Sequence, residues 1–173
     1  MNFRKATGFD IPAIAAIYDD IHTAEENGET TIGWNRAIYP TAATARTALQ
    51  RDDLFVQEDG GSIVGAAIIN QSQVDVYVGA PWRYPAPDEQ VMVLHTLVIS
   101  PKAARKGYGS AFVNFYEEYA QAHHCPYLRM DTNARNIRAR ALYKKLGYVE
   151  IAVVPCQFNG IDGVNLVLLE KKI

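Results

Sequence analysis

The stretch that decides the fold is Leu94–Ser110, LHTLVISPKAARKGYGS. Its first six residues continue an apolar run that begins at Val91, the pattern of a strand buried on both faces. Ser100 and Pro101 end the run, and Lys102, Arg105 and Lys106 make the following turn basic. Gly107 and Gly109 leave its backbone sterically open. From Gly107 the period becomes helical, with Phe112, Phe115, Tyr116 and Tyr119 on one face and Asn114, Glu117, Glu118 and Gln121 on the other. A strand running into a basic glycine turn and a helix start is an anion site. Free N–H groups point outward there, and the helix dipole adds roughly half a positive charge. The spacing is not GxxxxGK[ST], which argues against a P-loop nucleotide hydrolase. Nor is it GxGxxG, because Phe112 stands where the third glycine belongs. The same glycines would also suit a turn that holds no ligand.

The second informative stretch is Leu128–Tyr148, LRMDTNARNIRARALYKKLGY. Tyr127–Asp131 reads as a strand and Ala134–Leu146 as a helix that Gly147 closes. Asn136, Ala139 and Tyr143 are spaced i, i+3, i+7 and share a helix face, with Asn136 and Tyr143 roughly 10 Å apart along the axis. An amide near the helix start and a phenol two turns on can both touch one extended ligand.

Outward from these two segments, the chain reads as one domain over residues 1–173, without repeats or linkers. Strands are expected at 2–6, 54–58, 63–70, 91–99, 148–156 and 164–171. Asp10 caps a first helix with the stripe Ile11, Ile14, Ile17, Tyr18 and Ile21, and Thr41 caps a second that runs to about Arg51. Asp59-Gly60-Gly61 is a hairpin turn. The order is β-α-α-β-β-β-α-β-α-β-β, an α/β class with a mixed sheet: hairpins give antiparallel pairs in the first half, and alternation gives parallel strands in the second.

Seventeen basic and nineteen acidic residues give a net charge of −2, without the basic surplus of a nucleic-acid or membrane-surface binder. No apolar run follows the charges of Met-Asn-Phe-Arg-Lys, and none is long enough to span a bilayer. A cytoplasmic protein is expected, with Cys125 and Cys156 reduced. No metal centre is expected, because His123, His124 and Cys125 are adjacent and lack a second cluster.

Taken together, the strand ending LVISP, the turn ARKGYG and the helix NxxAxxLYKKLGY resemble the Gcn5-related N-acetyltransferase (GNAT) superfamily. The resemblance is specific from about Val91 to Glu150 and extends by element order to the whole chain. It implies a single-domain GNAT-like fold, with a central sheet of about seven strands flanked by about four helices. It further implies an enzyme, an acetyl-CoA-dependent N-acyltransferase acting on a primary amine of a small molecule or peptide. In the family the turn amides hold the coenzyme pyrophosphate, which maps to Arg105, Lys106, Gly107, Tyr108, Gly109 and Ser110. The pantetheine arm pairs with the preceding strand, here Leu97, Val98 and Ile99, where a backbone N–H also serves the oxyanion. Asn136 corresponds to a coenzyme contact, and Tyr143 to the group that protonates the departing thiolate. One position departs from the pattern: Ala104 stands where the family usually has Arg or Gln.

His95 is the candidate base, since it lies on the central strand beside the thioester position and imidazole titrates near neutral pH. A histidine satisfied within the core fits the same position. Glu29, Trp34, Tyr77 and Trp82, with Tyr39 and Tyr84, fall in segments expected to surround the acceptor, and aromatics with a carboxylate suit a cationic amine. The competing reading is a non-catalytic acyl-CoA-binding regulatory module, which Ala104 motivates and Tyr143 opposes. A homodimer is compatible with the aromatic-rich face.

Overall fold

The computed structural model describes residues 1–103 and 106–173. In chain order the elements are β1 (Asn2–Lys5), α1 (Ile11–Glu26), α2 (Ala42–Gln50), β2 (Leu54–Asp59), β3 (Ser62–Asn70), β4 (Val91–Ile99), α3 (Tyr108–Ala122), β5 (Tyr127–Asn133), α4 (Ile137–Lys145), β6 (Val149–Phe158) and β7 (Ile161–Lys172). This is the expected succession of seven strands and four helices. Among the described residues no helix is long and apolar enough to cross a membrane.

Side-chain alternation builds three layers around one sheet. On β2, Leu54 and Val56 turn toward α1 and α2, where they meet Ile14, Ile17, Tyr18 and Ala45. Phe55, between them, turns to the opposite face. That face is covered by Phe112, Val113 and Tyr116 of α3 and Tyr143 of α4, packed on Met92, Leu94, Leu128, Met130, Val167 and Leu169. Tyr116 also donates from its hydroxyl to the carbonyls of Met92 (2.6 Å) and Arg129 (3.2 Å), tying α3 to β4 and β5.

The sheet order is β1-β2-β3-β4-β5-β7-β6. The sheet is mixed as expected, and the parallel pairing that alternation suggests for the second half is confined to β4 and β5. The reason is the last hairpin. Asn159 and Gly160 take φ of +50° and +77°, the two-residue turn that Asn-Gly favours, so β6 and β7 extend to Phe158 and Ile161. β7 then enters between β5 and β6, antiparallel to both. Two boundaries also move. α1 continues past its apolar stripe to Glu26, and α4 starts at Ile137 because the Asn136 side chain accepts the Ala139 N–H (3.2 Å) and caps it there.

The feature that makes a site is where β4 and β5 part. They pair only from Val91↔Tyr127 to Leu94↔Met130. Beyond that point Asp131–Asn133 follow β7, while β4 stays with β3 through a bulge: Ile68 pairs with His95 and Ala66 with Val98. Thr96 within the bulge has φ +51°, a conformation that costs a β-branched residue of order 1–3 kcal/mol. Its hydroxyl is held by the Tyr39 hydroxyl. The bulge turns β4 away and opens a wedge in the sheet.

Candidate active site

The wedge leads into a cleft of about 750 Å³ that passes between the two faces of the sheet, a size ordinary for small-molecule sites. On the α3–α4 side it is lined by Leu97, Ile99, Gly109, Asn136, Ala139, Leu142 and Tyr143. Gly107 precedes α3 with φ +79°, and among the described residues no side chain caps the helix. The first-turn N–H groups of α3 therefore have no intrahelical acceptor. A Cβ at Gly107 would meet no described residue within 4 Å. Gly109 is tighter, with its Cβ position 3.2 Å from Leu142 Cδ2, which lets α3 and α4 approach at the cleft floor. Tyr108 contributes only backbone here, because its ring is buried and its hydroxyl donates to Asp59 Oδ2 (2.7 Å). Lys106 is exposed, and Lys102 reaches Asp20 (2.8 Å). The expected contact at Arg105, like Ala104, lies outside the described residues.

Tyr143 is 7% exposed and lines the cleft. Its hydroxyl has no hydrogen-bond partner among the described residues, and its ring packs edge-on to Tyr148. Burial, helped by the negative charge of Asp131, pushes the phenol well above its ordinary pKa. It stays protonated and available as a donor.

The opposite side of the cleft belongs to Asp131, His95 and an apolar lining. Asp131 shares the β5 face of Arg129, away from α3, and its Oδ2 accepts the Tyr77 hydroxyl (2.7 Å). The carboxylate opens on the cleft but is otherwise enclosed by protein. Burial pushes it from 3.8 up to about 6, with the Tyr77 bond opposing the rise. His95 is placed differently. Its Nε2 lies 3.0 Å from Asn70 Oδ1, which also accepts the Ser72 N–H (2.9 Å), so Nε2 is the donor. Asn70 Nδ2 donates in turn to Asp53 Oδ2 (2.8 Å). Burial pushes the imidazole down to about 4, and it is neutral at physiological pH.

The segment between α1 and α2 roofs the cleft. Glu25, near the end of α1, accepts the N–H groups of Ile32 (2.6 Å) and Gly33 (2.8 Å) and the Thr30 hydroxyl (3.0 Å). Thr31 donates to the Arg135 carbonyl across the opening (2.8 Å). These bonds bring Glu29, Trp34 and Tyr39 to the cleft, Trp34 meeting Tyr39 edge-on at 6.0 Å. Gly33 has φ +84°, and a Cβ there would fall 2.3 Å from Asn133 Nδ2. Asn133 cannot yield freely, because its Oδ1 accepts the Arg135 N–H (3.0 Å). Gly33→Ala is expected to cost about 1–2 kcal/mol, from the left-handed backbone and the lost roof contact. Thermal denaturation would show it as a lowered Tm, and steady-state kinetics as a raised acceptor KM.

Tyr77 and Trp82, expected to touch the acceptor, stand behind the wall instead, as does Tyr84. Tyr77 is 3% exposed and meets Trp82 edge-on at 5.1 Å. The Trp82 indole N–H donates to the Tyr77 carbonyl (3.0 Å), and the Arg129 guanidinium lies 4.1 Å over its ring. Arg129 also donates to the Tyr84 carbonyl (3.2 Å). These contacts clamp the 71–90 segment over β5 and β7, where it supports Asp131 from behind and sends only Val74 into the cleft.

A family model described as the acetyltransferase (GNAT) family matches residues 14–148, a span that includes β4, β5, α3 and α4 around the wedge. The chain belongs to the GNAT family. It is accordingly an N-acyltransferase by class. The GNAT assignment agrees with a curated relative, the uncharacterized N-acetyltransferase YhfO of Bacillus subtilis (strain 168), 23% identical over 150 residues, 87% of this chain and 91% of that protein. Solved structures share the fold. A GNAT-family acetyltransferase from Streptococcus agalactiae is similar with a TM-score of 0.82 at 21% identity, over 99% of this chain and 95% of its own. A ribosomal-protein-alanine N-acetyltransferase from Brucella melitensis is similar with a TM-score of 0.72 at 20% identity, over all of both chains. Sequence reasoning did not single out Asp131, which lines the cleft with a raised pKa. Its signal was the alternation of LRMD, which puts Arg129 and Asp131 on the face opposite Leu128 and Met130.

Proposed function

We propose that the chain transfers the acetyl group of acetyl-CoA to a primary amine by direct attack within a ternary complex. The observation that carries this reading is a single cleft with an unpartnered phenol, Tyr143, on one face of the sheet and a pK-raised carboxylate, Asp131, on the other. The open start of α3 suits a diphosphate: the N–H groups of Gly107–Ser110 would hold it, with Lys106 beside them. Leu97–Ile99, whose β5 side has no ladder partner, suits an extended amide-bearing arm, and the Asn136 amide reaches the same side. When bound, acetyl-CoA supplies an activated acyl group and a thiolate leaving group.

The chain's own residues then manage protons. An alkyl ammonium with pKa near ~10 must lose a proton before it can attack. Asp131, raised to about 6, holds that proton better than an ordinary aspartate and passes it to solvent. This moves the role of base away from His95, which burial holds near 4 and Asn70 fixes as a neutral donor in the wall. A backbone N–H of Leu97–Ile99, where β4 leaves the bulge, would face the developing oxyanion. Tyr143 gives its proton to the departing sulfur. Over one turnover the ammonium releases two protons, of which one replaces the proton given to sulfur and one leaves. Thiol release from acetyl-CoA should rise in the presence of an amine acceptor and saturate in both substrates. If the coenzyme binds and no amine accelerates release, the non-catalytic acyl-CoA-binding reading replaces this one.

A further inference from the structure

We infer that the acceptor is a primary amine carried on an apolar body with no carboxylate beside the amine. The inference rests on the acyltransfer reading and narrows its substrate class. It comes from the lining on the Asp131 side of the wedge, where Trp34, Val74, Phe158, Ile161, Val164 and Leu166 face the cleft. Five of these belong to the apolar cluster or its partly buried margin around Tyr77, Val91 and Val93, so the wall is continuous with the core of this face. Charges on the lining are few. Asp131 stands at the wedge and Glu29 at the exposed rim. Among the described lining residues Arg138 is the one Lys or Arg, and it belongs to α4 on the coenzyme side.

Each acceptor class meets this wall differently. An ammonium is attracted by Asp131 and by the faces of Trp34 and Tyr39. A zwitterionic amino acid would bring its carboxylate within two bonds of that ammonium, against apolar side chains and beside another carboxylate, with no cation among the described residues of that wall to receive it. Stripping a carboxylate of water without a partner is costly. A polyamine carries further ammonium groups, for which Glu29 is the remaining carboxylate on the lining. An aminoglycoside would press hydroxyls and several ammonium groups against aliphatic walls. An arylalkyl or branched alkyl amine leaves nothing unpaired.

The same chemistry exists at a peptide N-terminus with an apolar first side chain, because the amide beside it is uncharged. A second groove of about 590 Å³ shares Tyr39, Val74, His95 and Asn159 with the cleft and continues past Thr41, Asn70 and Gln73, where a peptide backbone would find polar partners. Arg51, the cation of that groove, is already bound to Asp53 (2.9 Å).

The test is a matched panel of acceptors with acetyl-CoA: phenethylamine, free phenylalanine, a short peptide amide led by phenylalanine, spermidine and kanamycin. Phenethylamine or the peptide is expected to exceed free phenylalanine in kcat/KM by at least about tenfold, since the pairs differ by one unpaired carboxylate. Whichever of the two leads identifies the source, and either upholds the inference. Free phenylalanine equal to phenethylamine, or spermidine or kanamycin leading the panel, overturns it. Phe158→Arg, a half-buried position at the end of β6, supplies the missing cation and should narrow the ratio by raising free phenylalanine. An unchanged ratio overturns the placement of this wall. A panel silent with coenzyme bound is a different result: it removes the acyltransfer reading itself.

Discussion

Asp131→Asn is expected to lower kcat by about two to three orders of magnitude while making the protein more stable at neutral pH. Both effects have one cause. The folded state holds the carboxylate at about 6 instead of 3.8, because burial disfavours its charge more than the Tyr77 hydroxyl favours it. Between those two values the folded chain binds more protons than the unfolded chain. Stability therefore falls as pH rises through the window, and the deficit is complete above about 6. A rise of about two units corresponds to at most about 3 kcal/mol, and Tyr77 can still donate to an amide oxygen, so a gain of about 1–3 kcal/mol is expected in the variant at pH 7.5. Near pH 4 the gain should vanish. Melting curves at the two pH values, with kcat at the higher one, test both halves. A variant that stays active, or that gains no stability at pH 7.5, removes Asp131 as the base.

The wild-type acid limb should rise through about pH 6, since Asp131 acts only when deprotonated, and the asparagine variant should lack that limb. Tyr77→Phe separates position from chemistry. It removes a hydrogen bond to the charged form, so the limb should move upward while the rate at high pH stays near wild type. A role confined to packing would lower the rate equally at every pH.

How much of this was legible beforehand depends on which force placed each residue. The strands and helices were readable because their apolar spacing is decided locally: β4 kept its expected bounds, and α3 starts one residue after Gly107. The motif residues fell where local chemistry put them. Gly107 takes the left-handed backbone before α3, and Asn136 caps α4. Tyr77 and Trp82 were misplaced because their partners are remote in sequence. Arg129 and Asp131 lie some fifty residues on, and a cation over an indole or a phenol on a carboxylate leaves no local pattern. The proposed shift of the base from His95 to Asp131 has a related reason. Residue type suggests imidazole, but the pKa of each follows from burial, which only the assembled wedge determines. The bulge at Thr96 was equally hidden, since its φ of +51° belongs to a residue type that avoids it and is imposed by β3 and Tyr39 together.

Tyr143→Phe is the second large effect, expected as a loss of about 10²–10³ in kcat with coenzyme affinity and stability nearly unchanged. The ring is buried among α3, α4 and the sheet, and phenylalanine keeps that packing. The hydroxyl bonds to no described residue, so its removal strands no partner in the fold and should move Tm little. What disappears is a proton donor at the mouth of the wedge. The phenol is a poor acid in isolation, pushed above its ordinary range, and gives up its proton only as the sulfur acquires charge in the same enclosed space. Burial raises the proton affinity of that thiolate as well, so the two groups shift together rather than apart. The loss should therefore be greatest below the thiol's own pKa, near ~8.5, and smaller above it, where a thiolate can leave unassisted. Turnover within about threefold of wild type across that range, with the acyl donor bound normally, would mean that the sulfur takes its proton from solvent and that Tyr143 serves the fold alone.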